Sequence, residues 1–179
     1  MKLSKPDKIL SKVLFDISSK DQSQDKMISD LSFVIKVIDN ESQIKSFIQS
    51  KRISNDKKID ILKEVFKDRI NTVLIEVLSL LSGPDSIKDL IAIKKSFIGR
   101  YKKENNIVDV KVVIAKKLNF SQTEILKSSI SKSLGKNVAL SVEVDEKIIG
   151  GIKLQVEDTY LDGSIINQLQ RLQTELLQI

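Results

Sequence analysis

The chain has 179 residues, of which 41% are hydrophobic and 30% are charged, and its formal net charge is +6. This composition is typical of a soluble globular protein with one domain of ordinary size or two small ones. Because the sequence contains no histidine and no cysteine, Ser-His-Asp catalysis, disulfides and zinc sites with histidine or cysteine ligands are excluded.

Residues 1 to about 105 are predicted to form six consecutive short helices. In the first four, apolar residues recur at the three- and four-residue spacing of a helix face. The four stripes are Leu10, Val13, Leu14 and Ile17; Met27, Ile28, Leu31, Val34, Ile35 and Ile38; Ile44, Phe47 and Ile48; and Ile59, Leu62, Val65 and Phe66. Pro6 suits the first turn of the first helix, where its missing N–H costs little.

The fifth helix, near residues 71–81, is apolar on most sides. Such a helix either lies at the centre of a bundle or keeps one face for a partner. Gly83-Pro84 ends it, and Ser86 is a candidate cap for a long sixth helix. The inner side of that helix is predicted to carry Ile87, Leu90, Ile91, Lys94, Phe97, Ile98 and Tyr101.

The hydrophobic period changes near residue 105, which predicts two domains, 1–105 and 106–179. Ile107 to Ala115 is rich in β-branched residues and suits a strand. The Ser-x-x-Glu spacing of Ser121 and Glu124 predicts a capping box at the start of a helix. Gly135 suits the end of that helix, and the alternating residues 138–144 predict a second strand.

The last part of the chain is predicted to be a strand, a hairpin return and an amphipathic helix. Gly150-Gly151 stands before the alternating residues 152–156, and Glu157-Asp158 forms the hairpin tip. Asp162-Gly163 supplies residues that tolerate positive φ in a turn, and Ser164 occupies the expected N-cap of the final helix. The apolar face of that helix consists of Ile165, Leu169, Leu172 and Leu176, with Ile179 as a further candidate.

These patterns together predict a mostly helical α+β protein, with an N-terminal six-helix bundle followed by a small α+β domain with a short sheet and a C-terminal helix. The order Gly150-Gly151, strand, Asp162-Gly163-Ser164 and a final helix with Leu169 and Leu172 resembles the C-terminal signature of the ATP synthase delta subunit family. The mitochondrial branch of this family is the oligomycin-sensitivity-conferring protein.

The resemblance extends to the N-terminal helix, where Leu14 and Phe15 match the family pattern. The tyrosine of that pattern is absent. After the fifth helix the family shows an Asn-Gly-Arg turn, whereas this chain reads Leu-Ser-Gly-Pro over residues 81–84, so only the glycine is retained.

The resemblance implies a non-catalytic stator subunit of the proton-translocating ATP synthase, which links the catalytic head to the peripheral stalk so that rotation drives ATP synthesis. It implies that residues 1–105 bind the N-terminal helices of the alpha subunits and that residues 106–179 bind the b subunits. No catalytic residue, cofactor, metal, nucleic-acid partner or homo-oligomer is expected. The residues that either line the alpha-subunit groove or form ordinary bundle core are Leu10, Val13, Leu14, Ile17, Val73, Val77 and Leu80.

An alternative function is a basic adaptor associated with RNA or the ribosome, supported by the isoelectric point near 9.3 and by the small α+β C-terminal unit. A basic run is a candidate contact for nucleic acid or an acidic partner, and it consists of Lys94, Lys95, Arg100, Lys102 and Lys103. A solvated helix face is the simpler interpretation of that run, since only Tyr101 interleaves it. The N-terminal residues lack the apolar stretch of a signal peptide. This favours a bacterial protein held peripherally on the cytoplasmic side of the cell inner membrane.

Overall fold

The computed structural model describes residues 6–177. The described helices are α1 (Pro6–Lys20), α2 (Gln24–Asn40), α3 (Ser42–Gln49), α4 (Asn55–Phe66), α5 (Thr72–Leu80), α6 (Ser86–Glu104), α7 (Phe120–Leu134) and α8 (Ile165–Leu176). The strands are β1 (Ile107–Ile114), β2 (Asn137–Val144), β3 (Ile152–Val156) and β4 (Thr159–Asp162). A short 3-10 turn, Lys67–Arg69, follows α4. The predicted mostly helical α+β class, with six helices before the first strand, is therefore confirmed.

The chain divides into two compact units, Met1–Tyr101 and Lys102–Ile179. The division falls inside α6, four residues before the boundary predicted at residue 105. A change in hydrophobic period marks where one kind of element gives way to another. It does not mark the boundary between the two units, so the last turn of α6, residues 102–104, belongs to the second unit although it is still helical.

The core of the first unit is aliphatic, with a few phenylalanines. Leu14, Leu31, Leu74 and Leu90 are fully buried and come from α1, α2, α5 and α6. Each such side chain contributes about 1.5–3 kcal/mol through removal from water. The rings of Phe15 and Phe97 pack edge to face with centroids 5.4 Å apart, which ties α1 to α6.

The buried face of α6 differs from the predicted one. Its buried residues are Ser86, Leu90, Ile93 and Phe97, and Ile91 is exposed. Intervals of four, three and four residues keep these positions on one face, whereas Ile91 is rotated away by about 100°. The predicted cap is also wrong, because Ser86 is itself the first helical residue and its buried hydroxyl has no hydrogen-bond partner among the described residues.

The second unit is built on a four-stranded sheet with the strand order β2-β1-β3-β4. β1 and β2 are parallel, with Ile107 opposite Asn137, and α7 forms the crossover that a parallel pair requires. β3 is antiparallel to β1, and β4 returns beside β3. The buried residues of this unit's core are Val108, Val110, Val112, Ile114, Ile130 and Val138.

The predicted capping box of α7 is wrong. The helix begins at Phe120, and its capping box consists of Asn119 and Gln122. The backbone N–H of Gln122 donates to Asn119 Oδ1 over 2.8 Å, and the backbone N–H of Asn119 donates to Gln122 Oε1 over 3.0 Å. Ser121 and Glu124 share the spacing of a box but lie within the first helical turn. The predicted end is confirmed, since Gly135 adopts φ 63° after the last helical residue.

Candidate partner-binding surfaces

Helix α1 presents an apolar strip to solvent. Ile9 and Val13 lie one turn apart and are both exposed, Val13 to 43%. Leu10 and Ile17 are half-buried at the edges of this strip. Leu14, in contrast, is 0% exposed and faces the bundle core. The four apolar residues predicted on this helix are therefore divided between two roles.

Helix α5 packs against α1 and shows the same division. Leu80 is 55% exposed and Val73 is half-buried, whereas Val77 is 4% exposed. Leu14 and Val77 cannot line a groove, because their side chains are already enclosed by the bundle. We define the α1/α5 surface as the remaining accessible set: Ile9, Leu10, Val13, Ile17, Val73 and Leu80.

The stripe predicted for α1 does not include Ile9, although this residue lies four positions before Val13. The predicted stripe began at Leu10, and a stripe containing Leu14 is necessarily the core face of the helix. The signal that could have found Ile9 is the second apolar series, Ile9, Val13 and Ile17, at four-residue spacing. This series is offset from the core stripe by about one residue, or 100°.

In the second unit, the two glycines and the Asp-Gly-Ser segment contact one another. The amide of Gly163 donates to the carbonyl of Ile152 over 2.9 Å, and the amide of Ile165 donates to the carbonyl of Gly150 over 3.0 Å. Gly151 adopts φ 86°, and a Cβ there would lie 2.8 Å from Cα of Ser164. We call Gly150, Gly151, Asp162, Gly163 and Ser164 the signature cluster.

The glycine that needs positive φ is Gly151, and the turn prediction for Gly163 is corrected accordingly. Gly163 does not adopt a positive φ. Its lack of a side chain matters for another reason, because a Cβ there would lie 3.2 Å from the carbonyl oxygen of Ile152. The cluster is thus a close approach of two backbone segments.

Asp162 and Ser164 complete the cluster and start α8. The backbone N–H of Ser164 donates to Asp162 Oδ1 over 2.9 Å, and the backbone N–H of Asn167 donates to Ser164 Oγ over 3.4 Å. Ser164 is buried despite its polarity. Hydrogen bonds from the Ser164 side chain and amide, together with Lys153, hold the pKa of Asp162 below its ordinary value.

Helix α8 has an apolar stripe that is largely exposed, although its first residue, Ile165, lies close to Gly150. Ile165, Leu169, Leu172 and Leu176 recur at intervals of four, three and four residues, and Leu169 is 60% exposed. None of the residues of α8 is buried. This spacing is that of the a and d positions of a coiled coil. These four residues define the α8 stripe. Ile179, which would continue the predicted series, lies outside the described residues.

The sheet face that carries Lys111, Glu143, Lys153 and Tyr160 is charged. Lys111 pairs with Glu143, which raises the pKa of the lysine, and Lys153 Nζ lies 3.2 Å from Asp162 Oδ2. Exposed pairs of this kind contribute about 0–1 kcal/mol each. Their alternation of sign gives this face a mixed charge, with no basic patch.

The basic run of α6 is partly neutralised. Lys102 Nζ lies 2.6 Å from Asp109 Oδ2, so this lysine is already paired with a carboxylate of β1. Over residues 6–177 there is no group of three or more acidic residues arranged to hold a metal ion. Nor does any described helix have the length and apolarity that a membrane crossing requires.

The fold and its exposed faces first define a class: a mostly helical protein of two units, whose helices leave apolar faces open to solvent. Exposed apolar faces of this kind mark sites where a protein contacts another protein, a membrane or a ligand. A family model described as "ATP synthase delta (OSCP) subunit" matches residues 11–176. The chain therefore belongs to the ATP synthase delta (OSCP) subunit family.

Individual relatives agree over nearly the whole length. The ATP synthase subunit delta of Chlorobium phaeobacteroides is 31% identical over 166 residues, covering 93% of this chain and 92% of the relative. That of Alkaliphilus oremlandii is 30% identical over 169 residues, with the same coverage. A chain in the cryo-EM structure of the Toxoplasma gondii mitochondrial ATP synthase hexamer superposes with a TM-score of 0.59 at 20% identity, covering 97% of this chain and 98% of that chain. This last likeness concerns the fold.

Membership of this family makes the chain a non-catalytic stator subunit of ATP synthase, as the resemblance predicted, and not an enzyme. The comparisons support this function and give no support to the RNA- or ribosome-associated alternative.

Proposed function

We propose that the first unit binds the N-terminal helices of the alpha subunits through the α1/α5 surface. The observation that carries the proposal is the exposure of Val13 and Leu80, two aliphatic side chains on helices that pack against each other. An amphipathic helix laid along such a surface would bury both, in the helix-in-groove mode of recognition. Aliphatic anchors of this kind slow dissociation, which a part under torque requires.

The second unit binds the b subunits of the peripheral stalk through the α8 stripe. Its support is the coiled-coil spacing of four exposed aliphatic residues on a helix whose first turn is fixed by the signature cluster. A stalk built of long helices offers the matching seam. Leu169 and Leu172 lie at the centre of the stripe, where a partner would exclude water best.

With both contacts made, the chain joins the catalytic head to the stalk and keeps the head from turning with the rotor. Proton flow then drives conformational change in the catalytic sites of the head and ATP is made there. The location that follows is the cytoplasmic side of the cell inner membrane, reached through the complex.

The alpha-subunit contact is tested by titrating the full chain with a synthetic peptide of the alpha subunit's N-terminus in a calorimeter. We expect Leu80→Asp to weaken binding roughly 10- to 100-fold, the equivalent of losing one buried leucine side chain. The matched control is Ile91→Asp, since Ile91 is similarly exposed but lies on α6. The proposal fails if the folded chain does not bind the peptide, or if both variants bind it equally well.

A further inference from the structure

Helix α5 lacks the charges that usually stabilise a helix. It spans nine residues, with no acidic residue in its first turn and no basic residue in its last. An isolated helix of this length is not stable in water. A helix carries a partial positive charge at its N-terminus and a partial negative charge at its C-terminus. Because α5 has no acidic residue in its first turn and no basic residue in its last, its own side chains compensate neither charge.

The N-terminal end of α5 meets a buried carboxylate from another helix. Asp30 of α2 is a buried residue, and its Oδ2 accepts the backbone N–H of Asn71 over 2.9 Å. Asn71 is the N-cap of α5, and its own side chain accepts the amide of Val73 over 2.9 Å. Two backbone amides at this end are thus satisfied, one of them by a carboxylate side chain from another helix.

The C-terminal end of α5 meets a buried ammonium group. Lys58 of α4 is 1% exposed, and its Nζ donates to the carbonyl of Leu81 over 3.0 Å and to that of Ile48 over 2.8 Å. Leu81 is the C-cap of α5, and Ile48 lies in the last turn of α3. Burial lowers the pKa of Lys58 below its ordinary value, and the two carbonyl acceptors are the groups that favour the charged ammonium at this site.

We propose that Asp30 and Lys58 act as an electrostatic clamp on α5, and that they are positioning residues for the α1/α5 surface. Each charge lies at the end of the helix dipole that it complements, and each is hydrogen-bonded to the helix cap. The clamp fixes both ends of the segment that carries Val73 and Leu80. This inference rests on the proposed binding of the alpha-subunit helix to that surface.

Such a clamp favours binding by pre-organisation. If α5 were free to fray, a partner helix would have to order it on binding, and the cost would reduce the affinity. Burying two charged side chains in a small bundle is expensive unless both are paired or hydrogen-bonded. Both groups lie at the ends of the short helix that carries Leu80. The energetic cost of burying them is therefore offset by the ordering of the proposed binding surface.

The test uses the full chain and the variants Asp30→Asn and Lys58→Met. Asp30→Asn keeps an oxygen acceptor for the backbone amide of Asn71 and removes only the charge, so it decides the question if Lys58→Met fails to fold. Matched controls are Asp39→Asn and Lys63→Met, because Asp39 and Lys63 are exposed residues of the same two helices. Two quantities are measured: the hydrogen-exchange rates of the α5 amides relative to those of α2, and the calorimetric affinity for the alpha-subunit N-terminal peptide.

We expect each clamp variant to raise the relative exchange rate of α5 about tenfold or more and to weaken peptide binding by a similar factor, while the controls change neither. Unchanged relative exchange in the folded Asp30→Asn variant overturns the clamp. Faster exchange with unchanged peptide affinity overturns the positioning role. If the wild-type chain does not bind the peptide, the proposed function fails, and the exchange rates alone still decide whether the clamp exists.

Discussion

The backbone amide of Ile165, the first residue of α8, donates a hydrogen bond to the carbonyl of Gly150 over 3.0 Å. This bond connects the glycine pair before β3 to the residue that follows the Asp-Gly-Ser segment, which begins with the last residue of β4. The two motifs are separated by a hairpin. The two motifs, although separated in the sequence, are therefore in contact in the folded chain. The contact determines where the final helix begins, and with it the position from which the α8 stripe starts.

We predict that Gly151→Ala destabilises the second unit by about 1–3 kcal/mol, because alanine is strained at φ 86° and its Cβ would meet the backbone of residues 163–164. The measurement is chemical denaturation followed by amide NMR signals of the second unit.

Two other glycines separate the causes of this loss. Gly135→Ala, at φ 63° with no atom within 4 Å of the new Cβ, incurs the strain alone and is expected to cost about 1 kcal/mol. Gly99→Ala, in α6 with open space, should be neutral or stabilising by up to about 1 kcal/mol. Equal losses at positions 151 and 135 would show that the close approach is unimportant.

The signature cluster is predicted to weaken in acid. The pKa of Asp162 in the folded chain lies below its ordinary value of 3.8, so the folded state binds this proton less readily than the unfolded state. The stabilisation from the ionised carboxylate is therefore present above pH 3.8 and is lost as the pH falls through the lowered value.

Urea unfolding of the wild-type chain and of Asp162→Asn measures this contribution. We expect the wild-type chain to be the more stable near neutral pH and the difference to shrink below pH 3.8. A difference between the two proteins that stays constant down to strongly acidic pH would contradict the assignment of the pKa shift to the hydrogen bonds with Ser164.

Neighbouring residues of α1 are predicted to differ in what they do. Leu14→Ala should cost about 2–5 kcal/mol of stability, because it leaves a cavity in the core. Val13→Ala should change the free energy of unfolding by less than about 0.5 kcal/mol, as exposed positions do, while it weakens binding of the alpha-subunit peptide. Thermal denaturation and calorimetry on the same two variants check both statements, and a stability loss at Val13 as large as at Leu14 would refute the division.

The α8 stripe gives a further prediction. Leu169→Asp or Leu172→Asp should weaken binding of a purified b-subunit stalk segment roughly 10- to 100-fold and leave the fold intact, since both side chains are exposed in the free chain. Ile125→Asp is the matched control, because Ile125 is equally exposed but lies on α7. Surface plasmon resonance measures the dissociation rate, and equal rates for all three variants would remove the stripe from the interface.

Much of the fold was predictable because helical and strand periods are local properties. Six helices, the order strand, helix, strand after them and the final amphipathic helix all follow from spacing alone, whereas the parallel pairing of β1 and β2 does not. The division between core and surface on α1 and α5 did not follow. These helices have more apolar residues than one face can hold, so the sequence is consistent with more than one buried face. Leu14 and Val13 differ by a single residue, and only packing against α2, α5 and α6 decides which is enclosed.

Contacts between distant charged residues were also beyond the sequence. Asp30 is separated from Asn71 by 41 residues, and Lys58 from Leu81 by 23. In sequence, both look like ordinary members of a solvated helix face. The α7 cap failed for a different reason: two overlapping segments, Asn119 to Gln122 and Ser121 to Glu124, both have the composition of a capping box, and the backbone conformation of Asn119 determines which one forms.

The central claim, that this subunit connects the head of the synthase to its stalk, is tested most directly by proton-driven ATP synthesis in membrane vesicles from a strain that lacks it. We predict that adding back the purified wild-type chain together with the catalytic head restores ATP synthesis. Leu80→Asp and Leu169→Asp, each altering one surface, should restore much less. Full restoration by both variants, or by the head without the chain, would contradict the account.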